Sequence, residues 1–378
     1  MKNFTVHNPV ILHFGREIIK ELGSAASSLG SKALLITGKG SVKQHGIFDS
    51  VVQQLEGAGV QWVEYSGIKP NPLIDDVRKA VSLGKAETVD MVIGVGGGSV
   101  VDSAKVIAAG ILSEYDAWAL VKREASIEAA LPVLAVLTLA ATGTELNQFA
   151  VVQNPESSEK IGIGHPSLYP RHSFLDPTYT FSVNREHTAY GIVDLMAHAM
   201  ENYFGLGDAP LADRYVLSIL QEAHEIALPL LNEPDNYDLR ARKMWVAANA
   251  LNGYPGYGRL SGDFAVHALG HPISMLFDTP HAATLSIVYP AWLTWLAPRV
   301  PEKISRLGRE VFGVEGVMES ISALKDFYRS LGVPISLAEA GIEGNQRKDL
   351  LALWKKLQAQ GYAYPLEESD YEAILDLI

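Results

Sequence analysis

The stretch Asp90–Lys105 (DMVIGVGGGSVVDSAK) leaves few folds open. Asp90–Val95 is a short, continuous apolar run, which reads as a strand buried on both faces. Gly96-Gly97-Gly98 follows at once, and the residues from Ser99 to Lys105 run on into a helical pattern. Strand, glycine turn and helix make the first arm of a parallel crossover unit, which is right-handed in nearly all cases. Without Cβ atoms the glycines let backbone approach a ligand, and the helix start behind them presents N–H groups carrying partial positive charge. The glycine turn and the helix start thus frame either a cradle for a pyrophosphate or a tight strand-to-helix turn with no ligand. The motif is neither G-x-G-x-x-G nor a P-loop, which would end in Gly-Lys-Ser/Thr.

Similar units surround it. Ala33–Thr37, Val60–Tyr65 and Val133–Leu137 read as strands, with helices through Val51–Gly57 and Ile74–Gly84 and a turn at Lys69-Pro70-Asn71-Pro72. The N-terminal MKNFTVHNPVILHFG reads as an alternating strand followed by a turn. After the strand at Ala33–Thr37 comes Gly38-Lys39-Gly40-Ser41-Val42-Lys43, where an acidic residue would bind a ribose 2′-OH and repel a 2′-phosphate. The loop has no acid, and Lys39, Ser41 and Lys43 favour NADP over NAD. Thr138 and Thr142 follow the Val133–Leu137 strand, where open α/β sheets bind ligands. Past Asn184 the strand signal fades and helical patterns run to the end. The expected fold is an α/β dinucleotide-binding domain with a parallel sheet over 1–184 and an all-α domain over 185–378.

The helical half begins with the metal-ligand candidates, beside the place where a cleft between domains is expected. Asp194 and His198 are four apart, as are His267 and His271, and that spacing puts each pair on one helix face. His281 follows after a proline-bearing turn. Asp194, His198, His267 and His281 can supply one carboxylate and three imidazoles, a set suited to Fe(II) or Zn(II) rather than to Ca(II) or Mg(II). His271 is then left over, in the position of a proton carrier.

Composition narrows the partners. A net charge of −12 argues against nucleic acid and anionic membrane. There is no cysteine, hence no disulfide, thiolate ligand or cysteine nucleophile. The longest apolar candidate, around Ala129–Ala141, is broken by Pro132 and Thr138, and the N-terminus lacks the apolar run of a signal peptide, so a cytoplasmic location is expected.

Taken together, GGGSVVDSAK, LDPTYT, D-x-x-x-H at 194 and 198, and the histidines at 267, 271 and 281 resemble the iron-dependent (group III) alcohol dehydrogenases, closest to their butanol dehydrogenase and NADPH-dependent aldehyde reductase branch. The resemblance runs from near the N-terminus to about residue 295 and implies a dehydroquinate synthase-like architecture. It implies metal ligation by Asp194, His198, His267 and His281, with His271 relaying protons or positioning substrate. It implies cofactor contacts from Gly38, Ser41, Asn71, Gly97, Gly98, Ser99, Asp102, Thr138, Thr142, Lys160 and Tyr179. NAD-preferring relatives carry an aspartate where this chain has Lys39. One departure is Ala282, where many relatives carry Gly.

The function this implies is hydride transfer between NAD(P)H and short aldehydes or primary alcohols, in a homodimer whose Phe4–Phe14 strands pair across subunits. Two other readings are a zinc enzyme of the dehydroquinate-synthase or glycerol-phosphate-dehydrogenase type and a non-catalytic nucleotide-binding metalloprotein. Asn147, Phe149, Val152, Tyr254 and Phe264 are candidate pocket residues, each equally suited to packing.

Overall fold

A computed structural model describes residues 1–378. Packing divides the chain into two units, His7–Val183, and Asn184–Ile378 together with Met1–Val6.

The first unit is built on a six-stranded sheet of order β1-β8-β5-β4-β2-β3, every pair parallel. Its strands are β1 (Ile11–Phe14), β2 (Lys32–Thr37), β3 (Gln61–Ser66), β4 (Met91–Gly96), β5 (Val133–Leu137) and β8 (His172–Leu175). Successive side chains point to opposite faces. Leu34 and Ile36 of β2 accordingly enter one core, and Ala33 and Leu35 the other. The helices of this unit are α1 (Leu22–Ser27), α2 (Ser41–Gln44), α3 (Ile47–Gly57), α4 (Ile74–Ala86), α5 (Gly98–Leu112) and α6 (Ala117–Val121).

Two expectations change here. The N-terminal strand is confined to Ile11–Phe14, because Pro9 lacks an N–H and the Asn8 side chain accepts the Val10 amide at 3.1 Å in a local turn. The segment after Thr144 carries strands that the sequence reading passed over: an antiparallel hairpin of β6 (Phe149–Asn154) and β7 (Glu159–Gly164), and then β8.

The second unit holds α7 (Arg185–Tyr203), α8 (Pro210–Asn232), α9 (Tyr237–Ala250), α10 (Ala265–Phe277), α11 (His281–Leu296), α12 (Pro301–Leu307), α13 (Val317–Leu331), α14 (Arg347–Leu357) and α15 (Glu368–Asp376). No helix is long and apolar enough to cross a membrane. Gly270 lets α10 and α11 cross closely, since a Cβ there would lie 2.6 Å from Thr284 Oγ1. That crossing sets the histidines of α10 beside the first residue of α11.

Candidate functional site

In the helical unit, Asn184 caps α7 by accepting the His187 amide at 2.8 Å, and the helix carries Asp194 and His198 on one buried face. His267 lies in the first turn of α10, and His281 opens α11 after a turn held by Ser274 Oγ donating to the Thr279 carbonyl at 2.9 Å. The ligand atoms of Asp194, His267 and His281 come within 4.8 Å of one another. His198 adjoins this trio: its Nδ1 is 3.4 Å from Asp194 Oδ1, and its ring centroid is 4.5 Å from that of His267. His271 stands beside the group, its ring centroid 5.4 Å from that of His281.

These residues fit a divalent cation. Asp194 Oδ1 and His198 Nδ1 are buried without a hydrogen-bond partner, a costly arrangement that a cation would relieve. Burial pushes the His198 imidazolium down to about 4, so the ring is neutral and able to ligate. Nitrogen and oxygen donors without sulfur suit Fe(II) and Zn(II).

The sequence reading missed Glu201, although Asp194, His198 and Glu201 at positions i, i+4 and i+7 share a helix face. Glu201 Oε1 lies 3.0 Å from His267 Nδ1, within hydrogen-bond reach, and burial raises its carboxyl. It also missed Lys243 on α9, a buried ammonium pushed down to about 7 by desolvation, against the Asp194 charge.

In the α/β unit, most of the cofactor candidates follow the carboxyl ends of parallel strands: Gly38, Lys39 and Ser41 after β2, Asn71 after β3, Gly97–Asp102 after β4, Thr138 and Thr142 after β5, and Tyr179 after β8. The chain turns from β2 to β3 on one side and to β4 on the other. The loops at 38–41 and 97–99 therefore flank the switch point where open α/β sheets bind ligands. No side chain caps α5, and a Cβ on Gly98 would lie 2.8 Å from Thr142 Oγ1. Lys160 on β7 donates to Asn71 Oδ1 at 2.9 Å, joining two residues far apart in sequence. Tyr179 is half-buried, and desolvation raises its hydroxyl to about 12.

Several details differ from expectation. Both Asp102 oxygens accept hydrogen bonds within the protein, from Thr144 Oγ1 at 2.7 Å and the Val151 amide at 2.9 Å. Glu64 on β3 supplies an acid beside the 38–43 loop: it pairs with Lys43 at 2.7 Å and accepts from Thr37 Oγ1 at 2.7 Å, while Lys39, exposed like Lys43, lies outside that ion pair. Asn147 and Val152 are buried packing residues, the former holding the Gly143 carbonyl at 2.9 Å. Lys105, at the end of the glycine-rich motif, is also fully buried; its Nζ donates to Thr144, Asn147 and Phe149.

Both halves match one family: residues 9–177 match "Iron-containing alcohol dehydrogenase", and residues 188–376 match "Fe-containing alcohol dehydrogenase family, C-terminal". The probable NADH-dependent butanol dehydrogenase 1 of Bacillus subtilis is 38% identical, with 100% of this chain and 99% of the relative covered. The NADPH-dependent aldehyde reductase YqhD of Escherichia coli is 34% identical over 98% of this chain and 96% of its own. The crystal structure of an NADH-dependent butanol dehydrogenase A from Thermotoga maritima superposes with a TM-score of 0.97 at 38% identity, covering 100% of this chain and 98% of that one. The chain belongs to the iron-containing alcohol dehydrogenase family, in the branch of the butanol dehydrogenases and YqhD-type aldehyde reductases, and is an NAD(P)-dependent enzyme.

Proposed function

We propose that the enzyme interconverts short, uncharged aldehydes and primary alcohols, and that it prefers NADPH to NADH. The observation that carries this reading is the meeting of Asp194, His267 and His281, with an Asp194 oxygen buried and unpartnered. Asp194, His198, His267 and His281 hold the cation, and Gly38, Ser41, Asn71, Gly97, Gly98, Ser99, Thr138, Thr142, Lys160 and Tyr179 hold the dinucleotide. When bound, the cation supplies a Lewis acid for a carbonyl oxygen and the reduced nicotinamide supplies the hydride. His271 delivers the proton that the product oxygen needs, being a histidine beside the ligand group and outside it.

The butanol and aldehyde specificities named for the relatives support the substrate class. Those names divide between NADH and NADPH, so the preference rests on this chain's own loop. Lys39 is exposed there and suits a 2′-phosphate, while Glu64 is engaged by Lys43 and Thr37. A homodimer is supported by the edge strand β1, where Ile11 and Phe14 stay 54% and 38% exposed.

The test is the rate of NADPH and NADH oxidation with butanal, on chelator-stripped protein and after anaerobic restoration with Fe(II) or Zn(II). Restored protein is expected to consume NADPH faster than NADH, and stripped protein to be inert. Full activity in stripped protein would overturn the metal assignment.

A further inference from the structure

Glu201 lies on the α7 face that carries Asp194 and His198, and it is 0% exposed. Its Oε1 meets one residue twice, accepting the His267 backbone amide at 3.0 Å and lying 3.0 Å from His267 Nδ1. A backbone amide only donates and an ionised carboxylate oxygen only accepts, so against ionised Glu201 the ring nitrogen that meets Oε1 carries the hydrogen. A neutral imidazole has one N–H, and with hydrogen on Nδ1 the lone pair sits on Nε2. Rotating the ring by half a turn would set a C–H against Oε1 and lose the bond.

The main chain is tied as well. Phe264, which opens α10, has a left-handed backbone (φ 65°) and offers no capping side chain. Glu201 takes that role from the neighbouring helix, its carboxylate at the first turn of α10 and its own carbonyl accepting the Asp263 amide at 2.9 Å. One side chain therefore fixes both the position of the His267 backbone and the direction of its ring.

We propose that Glu201 is a positioning residue that holds His267 as the Nδ1–H tautomer, so that Nε2 is the nitrogen presented to the cation shared with Asp194 and His281. This rests on His267 being a ligand. Partners of this kind behind a ligating histidine are worth roughly 10- to 100-fold in metal affinity.

The test compares wild type, Glu201→Leu and Glu201→Gln, each stripped and titrated with Zn(II) against a competing chelator. It adds the nitrogen-15 histidine spectrum and the thermal unfolding of each stripped protein. Gln keeps an acceptor at Oε1 and is expected to bind Zn(II) within about threefold of wild type, since the bond is preserved. Leu is expected to bind roughly 10- to 100-fold more weakly and to move the His267 hydrogen off Nδ1, in a stripped protein that still unfolds cooperatively at a somewhat lower Tm, since the α10 cap is lost. Wild-type Zn(II) affinity in the Leu variant overturns the proposal. So does a Gln variant as weak as Leu, or an Nε2–H tautomer in wild type, the last being readable even if Leu fails to fold. Wild type that binds no Zn(II) at all would instead remove the ligand reading beneath it.

Discussion

Lys105 Nζ donates to the Thr144 carbonyl over 2.7 Å and so ties α5 to the loop after β5. Lys105→Met keeps the buried stem but leaves several acceptors without a donor. Each such group costs about 1–3 kcal/mol, so urea unfolding is expected to show a loss of about 3 kcal/mol or more. Because the same loop carries Thr142, the Michaelis constant for the nucleotide should rise as well. A variant with wild-type stability would show that the acceptors find other donors.

Gly98→Ala tests the cradle. The added methyl would sit 2.8 Å from Thr142 Oγ1 and 3.1 Å from Thr142 Cγ2, so the threonine must move. Nucleotide affinity is expected to fall by about tenfold, equivalent to about 1.4 kcal/mol, with metal content unchanged. Fluorescence titration with NADPH reads the first quantity and metal analysis the second.

Lys39→Asp tests cofactor choice. A carboxylate at 39 repels a 2′-phosphate and accepts from a 2′-hydroxyl. The NADPH-to-NADH ratio of kcat/KM is expected to fall by about tenfold or more. An unchanged ratio would put discrimination elsewhere on the loop.

Glu145 gives a pH dependence. It is fully buried with Oε1 unpartnered, and desolvation raises its carboxyl to about 7. Between the ordinary carboxylate value and about 7 the folded protein holds the proton that the unfolded chain releases. This contribution to stability is full below the ordinary value and is lost as pH rises through about 7. Glu145→Gln stays neutral throughout. Its stability relative to wild type should therefore climb from about pH 4.5 to about pH 8, read from urea midpoints at the two ends; a flat difference would mean that Glu145 does not titrate in this range.

His271→Ala separates proton transfer from ligation. Turnover is expected to fall by roughly 100-fold, the scale of a lost general acid, while bound metal stays at the wild-type level. Loss of metal would make His271 a ligand.

Local chemistry made much of this readable in the sequence. The run at Asp90–Val95 followed by three glycines can hardly be anything other than a buried parallel strand entering a helix, and Asp194 and His198 announce a shared face by spacing alone. The hairpin Phe149–Gly164 was less legible, because its strands are short and half-buried and its pairing partner is itself. Glu201 carried the same periodic signal as the ligands, but its partner His267 lies on another helix. Glu64 was invisible for a related reason: only the β2–β3 pairing, with Leu35 opposite Glu64, carries that acid to the loop after β2.

Met1–Val6 belongs to the helical unit, with the Lys2 amide on the Gly258 carbonyl at 2.9 Å and Phe4 stacked on Tyr257 at 5.3 Å. The α/β unit is thus an insertion within the helical one. During synthesis Met1–Val6 emerge well before their partners and wait for them until the chain beyond Gly258 has left the ribosome. An excised fragment His7–Val183 keeps every strand of its sheet, whereas one beginning at Asn184 loses a piece of its own surface.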